Sequence, residues 1–184
     1  MEEKALEVLG LRPAKAETQI MQRDRHAMVM SVLAVFGGTI NQIANTFWVM
    51  MRSDCRELQE PRKAKQRGSS AMPQKKNPIK IEQFRGLPRL LRGTATAAIE
   101  NIGTEEFREI SQSSVERHIF PDGMGLSHYL AVALTAVVEG LVVFEERMLR
   151  NLNERTFGVW AGQQVRIALM DEGVDYDTAY LCTQ

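Results

Sequence analysis

Residues 68 to 78 read GSSAMPQKKNP and hold two serines, two lysines, two prolines and no acid. Asn is favoured at a helix N-cap and Pro at the first helical position, so Asn77-Pro78 predicts a helix beginning directly after this segment. The free N–H groups at such an end, together with the helix dipole, favour negative charge nearby. Lys75 adds a full positive charge two residues earlier. A serine is a poor base in water. It becomes useful when its alkoxide is stabilised, and a lysine beside a helix N-terminus does that. The same groups stabilise the dianion formed when a proton leaves the carbon next to a carboxylate. The segment therefore suits proton abstraction from an anionic substrate. A solvated basic surface or a phosphate-binding loop uses the same residue types, and composition alone leaves both open. A P-loop is excluded, because G-x-x-x-x-G-K-[ST] is absent. Single-stranded nucleic acid is disfavoured, because no aromatic residue lies between Pro61 and Ile81 to stack on a base.

The elements that must position this chemistry are helical. Residues 2 to 9 form a short amphipathic pattern with Gly10 in the stop position. Thr18 is placed to cap a long helix reaching roughly Arg52, with Gly37-Gly38 as a bend or close-packing point. Residues 53 to 77 read as a long polar loop, a type that is functional or disordered in compact proteins. The helix after Asn77-Pro78 extends to about Glu100, with a kink at Pro88. Residues 101 to 112 are irregular. Pro121-Asp122 precedes another long helix, to about Asn151, whose middle is apolar nearly all round and so wants neighbours on every side. Residues 155 to 171 and 175 to 184 read as two more helices around Glu172-Gly173. No β-period of useful length and no internal repeat is present, so the expected fold class is all-α.

Bulk properties narrow the function classes. Hydrophobic residues make up 44% of the 184, enough for a core. Basic and acidic residues balance at 23 each, so no global field points to DNA or a membrane surface. Seven basic residues and no acid lie between Pro61 and Ile81. The uncharged run from Ala27 to Met51 is long enough to span a bilayer. Ser31, Gly38, Asn41, Gln42 and Asn45 share one face of it, however, which fits a bundle helix better than lipid. Cys55 and Cys182 lie far apart and outside any CxxC, and the acidic N-terminus is no signal peptide, so a reducing, cytoplasmic setting is expected. His26, His118 and His128 have no metal-ligand spacing and read as structural or surface residues. The two longest helices are too apolar to be satisfied by one copy of this chain, and the final helix stops without a cap. A fragment or an obligate oligomer is expected.

The string from Gly68 to Pro78 closely resembles the signature loop of the fumarase/aspartase superfamily. Three further stretches resemble one branch of it, the bacterial adenylosuccinate lyase family. Thr18-Gln-Ile-Met-Gln-Arg-Asp-Arg-His26 is similar to its T-Q-x-x-x-R-D-R-H segment. Ile110-Ser-Gln-Ser-Ser-Val-Glu-Arg117, with Pro121-Asp122, is similar to I-S-H-S-S-x-E-R…P-D. Asn151-Leu-Asn-Glu-Arg-Thr-Phe-Gly158 resembles the entry to a C-terminal helical domain. Family members are more than twice as long. The resemblance therefore implies that residues 1–151 are the latter part of a central helical-bundle domain and 152–184 the start of a C-terminal one.

What the resemblance implies for the site is specific. Ser69 is the base, and Lys75 and Asn77 hold the carboxylate as it becomes an aci-carboxylate. Glu82 orients an acid histidine that belongs to an upstream segment absent from this sequence. Gln19, Ser70 and Gln83 contact substrate, and Arg108, Ser113 and Arg117 hold the nucleotide phosphate. The reaction implied is elimination of fumarate from adenylosuccinate and from the related SAICAR nucleotide, in purine nucleotide biosynthesis, with no metal or organic cofactor. The assembly implied is a homotetramer with shared active sites. Two departures bear on substrate geometry. Glu105-Glu106-Phe107-Arg108-Glu109 stands where the family has W-H-E-R-D, and Gln112 replaces the histidine before the serine pair. MPQKKNP also occurs in argininosuccinate lyases. Another superfamily lyase, of argininosuccinate or carboxymuconate type, therefore remains an alternative, as does a non-catalytic helical oligomerisation fragment.

Overall fold

The computed structural model describes residues 1–16, 21–62, 72, 74–103 and 110–184. Among them the regular structure is helical apart from two very short strands. It divides into two compact units, Met1–Asn45 with Ile79–Val138, and Thr46–Pro78 with Glu139–Gln184.

In the first unit, α1 (Glu2–Val8) buries no residue and ends before Gly10, whose φ of +67° suits glycine. Next comes α2 (Asp24–Met51), most of which belongs to this unit. Its first residue is Asp24 rather than Thr18, which lies outside the described residues along with the rest of 17–20. The helix expected from Asn77 to Glu100 is two, α3 (Ile79–Gly86) and α4 (Pro88–Glu100). Leu87 keeps helical dihedrals, with φ −55° and ψ −35°, so the break is a kink at the proline, which has no N–H to donate.

The last helix of this unit, α5 (Ser111–Glu139), corrects the sequence reading at both ends. It runs through Pro121 instead of starting after it, and it stops at Glu139, well short of Asn151. An interior proline costs about 3 kcal/mol. Ahead of it, Gln112 and Ile119 are buried and Val115 packs on the core, so tertiary contacts hold the first turns helical. The core cluster joins Ala27 and Met30 of α2, Ala95 and Ala98 of α4, and Ile119 of α5, with Phe120 packed against it.

Among the described residues α2 is long and apolar enough to cross a membrane. Its polar face is used within the protein. Asn41 Nδ2 donates to the Arg85 carbonyl at 2.9 Å, and Arg85 Nε donates to Asn45 Oδ1 at 2.7 Å. Gly37 is the close-packing point of this helix. A methyl group added there would lie 2.9 Å from Leu91 Cδ1 and 3.3 Å from Pro88 Cβ, whereas one on Gly38 would meet nothing within 4 Å. Leu91 and Pro88 are fully buried and cannot move aside freely. Gly37→Ala should therefore destabilise the protein by about 1–3 kcal/mol through overpacking. Gly38→Ala should stabilise it by about 0.5–1 kcal/mol through helix propensity. Urea unfolding of the two variants beside the parent chain checks both signs.

In the second unit, β1 (Leu58–Gln59) pairs antiparallel with β2 (Val142–Val143), Leu58 opposite Val143. Gly140 and the β-branched pair Val142-Val143 explain why the long helix stops where it does. The unit continues through α6 (Glu145–Arg150), α7 (Gly162–Asp171) and α8 (Tyr176–Cys182). The last of these matches the helix expected over 175–184, whereas α7 starts at Gly162, seven residues later than the expected 155, after a π-helical turn at Asn151–Arg155 and a 3-10 turn at Val159–Ala161. Asp175 caps α8 by accepting the Thr178 N–H at 3.0 Å, and hydrogen bonding to Thr178 holds its carboxyl below the usual range.

Candidate active site

Four of the residues singled out from the sequence, Gln19, Ser69, Ser70 and Arg108, lie outside the described residues. The others fall on two units.

In the second unit, Lys75 is exposed and Asn77 half-buried on the stretch leading into α3. The Lys75 N–H bonds the Met72 carbonyl at 3.0 Å, and Lys76 Nζ donates to Gln59 Oε1 at 3.1 Å. The helix starts at Ile79, one residue later than a proline at the first helical position would place it. Lys75 and Asn77 precede that start by four and two residues in the chain. At Cys55, also in this unit, burial and the neighbouring Glu57 raise the thiol pKa, which disfavours the nucleophilic thiolate.

In the first unit, Glu82 and Gln83 are exposed on α3. Tyr129 of α5 donates its hydroxyl to Gln83 Oε1 at 3.3 Å, and Lys80 Nζ donates to the same hydroxyl oxygen at 2.8 Å. Ser113 is half-buried and Arg117 exposed. The four-residue spacing puts them one turn apart on the same face of α5. A hydroxyl and a guanidinium so arranged make a reasonable anion contact.

Sequence reasoning missed what anchors that face. Glu116 Oε1 lies 3.0 Å from Arg23 Nε and 2.6 Å from His26 Nδ1, and His26 also meets Phe120 edge to face with ring centroids 5.2 Å apart. The three side chains tie the start of α2, with Arg23 just ahead of it, to the first turns of α5. Glu116 is only 14% exposed and Arg23 12%, so the pair is well shielded from solvent. The signal lay in two quoted segments, Arg23-Asp24-Arg25-His26 and Glu116-Arg117. The 90 positions between His26 and Glu116 concealed the contact. The structural reading of His26 fits this pairing, and His118 and His128 are exposed on α5.

Gln112 is buried, with Oε1 accepting from Ser111 Oγ at 3.2 Å and Nε2 donating to the Gly103 carbonyl at 3.4 Å. Its own carbonyl accepts from Asn101 Nδ2 at 3.2 Å. The glutamine in place of the superfamily-like histidine thus ties the start of α5 to Asn101 and Gly103, just past the end of α4. Among the described residues no three His, Cys, Asp or Glu side chains gather where they could hold a metal ion.

Residues 2–93 match the profile of a family described as Lyase. The chain belongs to this lyase family. Over 180 residues, 98% of the chain, it is 43% identical to the adenylosuccinate lyase of Thermotoga maritima, of which it covers 42%. It is 40% identical to the adenylosuccinate lyase of Bacillus subtilis over the same share of each protein. The lyase chain thus spans about two fifths of the length of these curated relatives. Among solved structures it is similar to the 3-carboxy-cis,cis-muconate lactonizing enzyme of Pseudomonas putida. The TM-score is 0.80 at 25% identity, over 98% of this chain and 39% of that one. The fumarate lyase of Mesorhizobium sp. BNC1 shares the fold, with a TM-score of 0.74 at 22% identity over 88% of this chain and 34% of that one. The all-α expectation is met, and so is the resemblance read from the loop and its companion segments.

Proposed function

We propose that this chain is part of a lyase that eliminates fumarate from adenylosuccinate, and from SAICAR, in purine nucleotide biosynthesis. The observation that carries the reading is the 43% identity to an adenylosuccinate lyase over 98% of the chain, signature loop included. In this reading Ser69 removes the proton from the carbon beside the carboxylate that Lys75 and Asn77 hold. The electron pair left on that carbon forms the new double bond as the C–N bond breaks. A histidine outside this sequence, oriented by Glu82, protonates the departing nitrogen. Gln19, Ser70 and Gln83 contact the succinyl and base portions. Arg108, Ser113 and Arg117 take the phosphate, with Glu116 holding the α5 turn that carries the last two. No cofactor takes part.

We also propose the domain division at 151/152, a cytoplasmic setting and a homotetramer with shared sites. Met28, Val32 and Val35 support the last. They recur along one side of α2 at 70%, 61% and 73% exposure, an apolar stripe that suits burial against another copy.

The substrate is tested at Arg117. A charge-assisted bond to an ionised group contributes about 1.5–3 kcal/mol. Its loss is worth roughly ten- to a hundred-fold. In the full-length lyase, Arg117→Ala should weaken adenylosuccinate and AMP by that factor. It should barely affect succinate-like fragments that keep only the eliminating carboxylates. Fumarate release and AMP inhibition are the measurements. Unchanged AMP inhibition, or argininosuccinate as the better substrate of the parent enzyme, would overturn the nucleotide reading.

A further inference from the structure

Lys80 and Gln83 sit one turn apart on α3, and the hydroxyl of Tyr129 on α5 reaches both, at 2.8 Å from Lys80 Nζ and 3.3 Å from Gln83 Oε1. An ammonium group is a donor only, so the phenol oxygen accepts from Lys80. Its single proton is then directed at the Gln83 carbonyl oxygen. The positive charge on Lys80 polarises the phenol and strengthens that donation. With Oε1 engaged, the exposed end of the Gln83 amide is its NH2 group. A free glutamine presents its carbonyl or its NH2 with equal ease, whereas this one is turned to present donors.

We propose that Tyr129 is a positioning residue that fixes the Gln83 amide with its NH2 toward the substrate. This edge of the site thereby selects a hydrogen-bond acceptor, a carboxylate or carbonyl oxygen, and disfavours a donor in the same place. The proposal rests on the reading of Gln83 as a substrate contact. It adds a specificity role for Tyr129 and Lys80, neither of which was legible as a site residue. Tyr129 sits deep in the longest helix, 46 residues from Gln83.

The test is a double-mutant cycle in the full-length lyase, read as KM and kcat for fumarate release. Gln83→Ala should raise KM. Tyr129→Phe, which removes only the hydroxyl, should raise KM about three- to ten-fold, the scale of one ordered neutral hydrogen bond. Its effect on kcat should be smaller. In the Gln83→Ala background Tyr129→Phe should then do nothing further, because its route to the substrate is gone. Lys80→Met should give a partial effect through the same route. A merely structural tyrosine would lower the melting temperature and act equally in both backgrounds. Equal effects in the two backgrounds, or no effect of Tyr129→Phe on KM, would overturn the role of Tyr129 and leave Gln83 as a contact. An unchanged KM in Gln83→Ala would instead overturn the reading of Gln83, and with it the proposal. Elimination at Ser69 would be untouched.

Discussion

Assayed by itself, this 184-residue chain should release no measurable fumarate from adenylosuccinate, while a polypeptide of the relatives' full length should turn over normally. The chain covers 42% of the Thermotoga maritima lyase, and the acid that protonates the leaving nitrogen is expected in the uncovered part. A positioned acid contributes about 10²–10⁴-fold. None of the three histidines present matches its motif. His26 spends Nδ1 on Glu116 at 2.6 Å and packs against Phe120. His118 and His128 are exposed on α5. The measurement is fumarate release by the chain, with and without an added polypeptide covering the remaining length. Restoration by addition supports the reading. A rate near that of the full-length enzyme from the chain alone would refute it.

What was legible in the sequence depended on how local the physics is. Asn77-Pro78 announced the start of α3 to within a residue, because N-terminal preferences act over one turn. Gly10 and Asp175 marked a helix stop and a helix start for the same reason. Pro121 misled, because its local penalty is outweighed by burial of Gln112 and Ile119 and by the Glu116 pairing, none of which is local. Val142-Val143 was read as helix because a two-residue strand carries no periodicity. Its partner, Leu58-Gln59, lies more than eighty residues earlier. The site divides along the same line. Lys75, Asn77 and Glu82 could be proposed from the sequence because loop and helix N-terminus are contiguous. Glu116 and Tyr129 could not, since each acts on a residue of another helix. Arg23, His26 and Gln83 show their partners only once α2, α3 and α5 are packed.

Ser69→Ala in the full-length lyase should lower kcat by at least about 10²-fold, the scale of a lost positioned base. Proton removal from carbon next to a carboxylate places two negative charges on one small fragment. In the proposed mechanism Lys75 and Asn77 hold the singly charged ground-state carboxylate and stabilise the dianion more strongly as it forms. An alanine at 69 leaves this stabilisation in place but removes the group that starts the transfer. The loss should therefore fall on kcat and on kcat/KM alike, with KM nearly unchanged, as for an interaction made only in the transition state. Lys75→Ala should differ in kind. It removes binding charge as well as transition-state charge, so KM should rise while kcat falls. Ser70→Ala should cost less than Ser69→Ala, since a contact to substrate is worth roughly the 0.5–1.5 kcal/mol of a single hydrogen bond. The assignment of the base rests on that ranking, measured by fumarate release at saturating substrate. If Ser70→Ala proves the more damaging of the two, the base is Ser70, and the loop turns its other serine toward the reacting carbon.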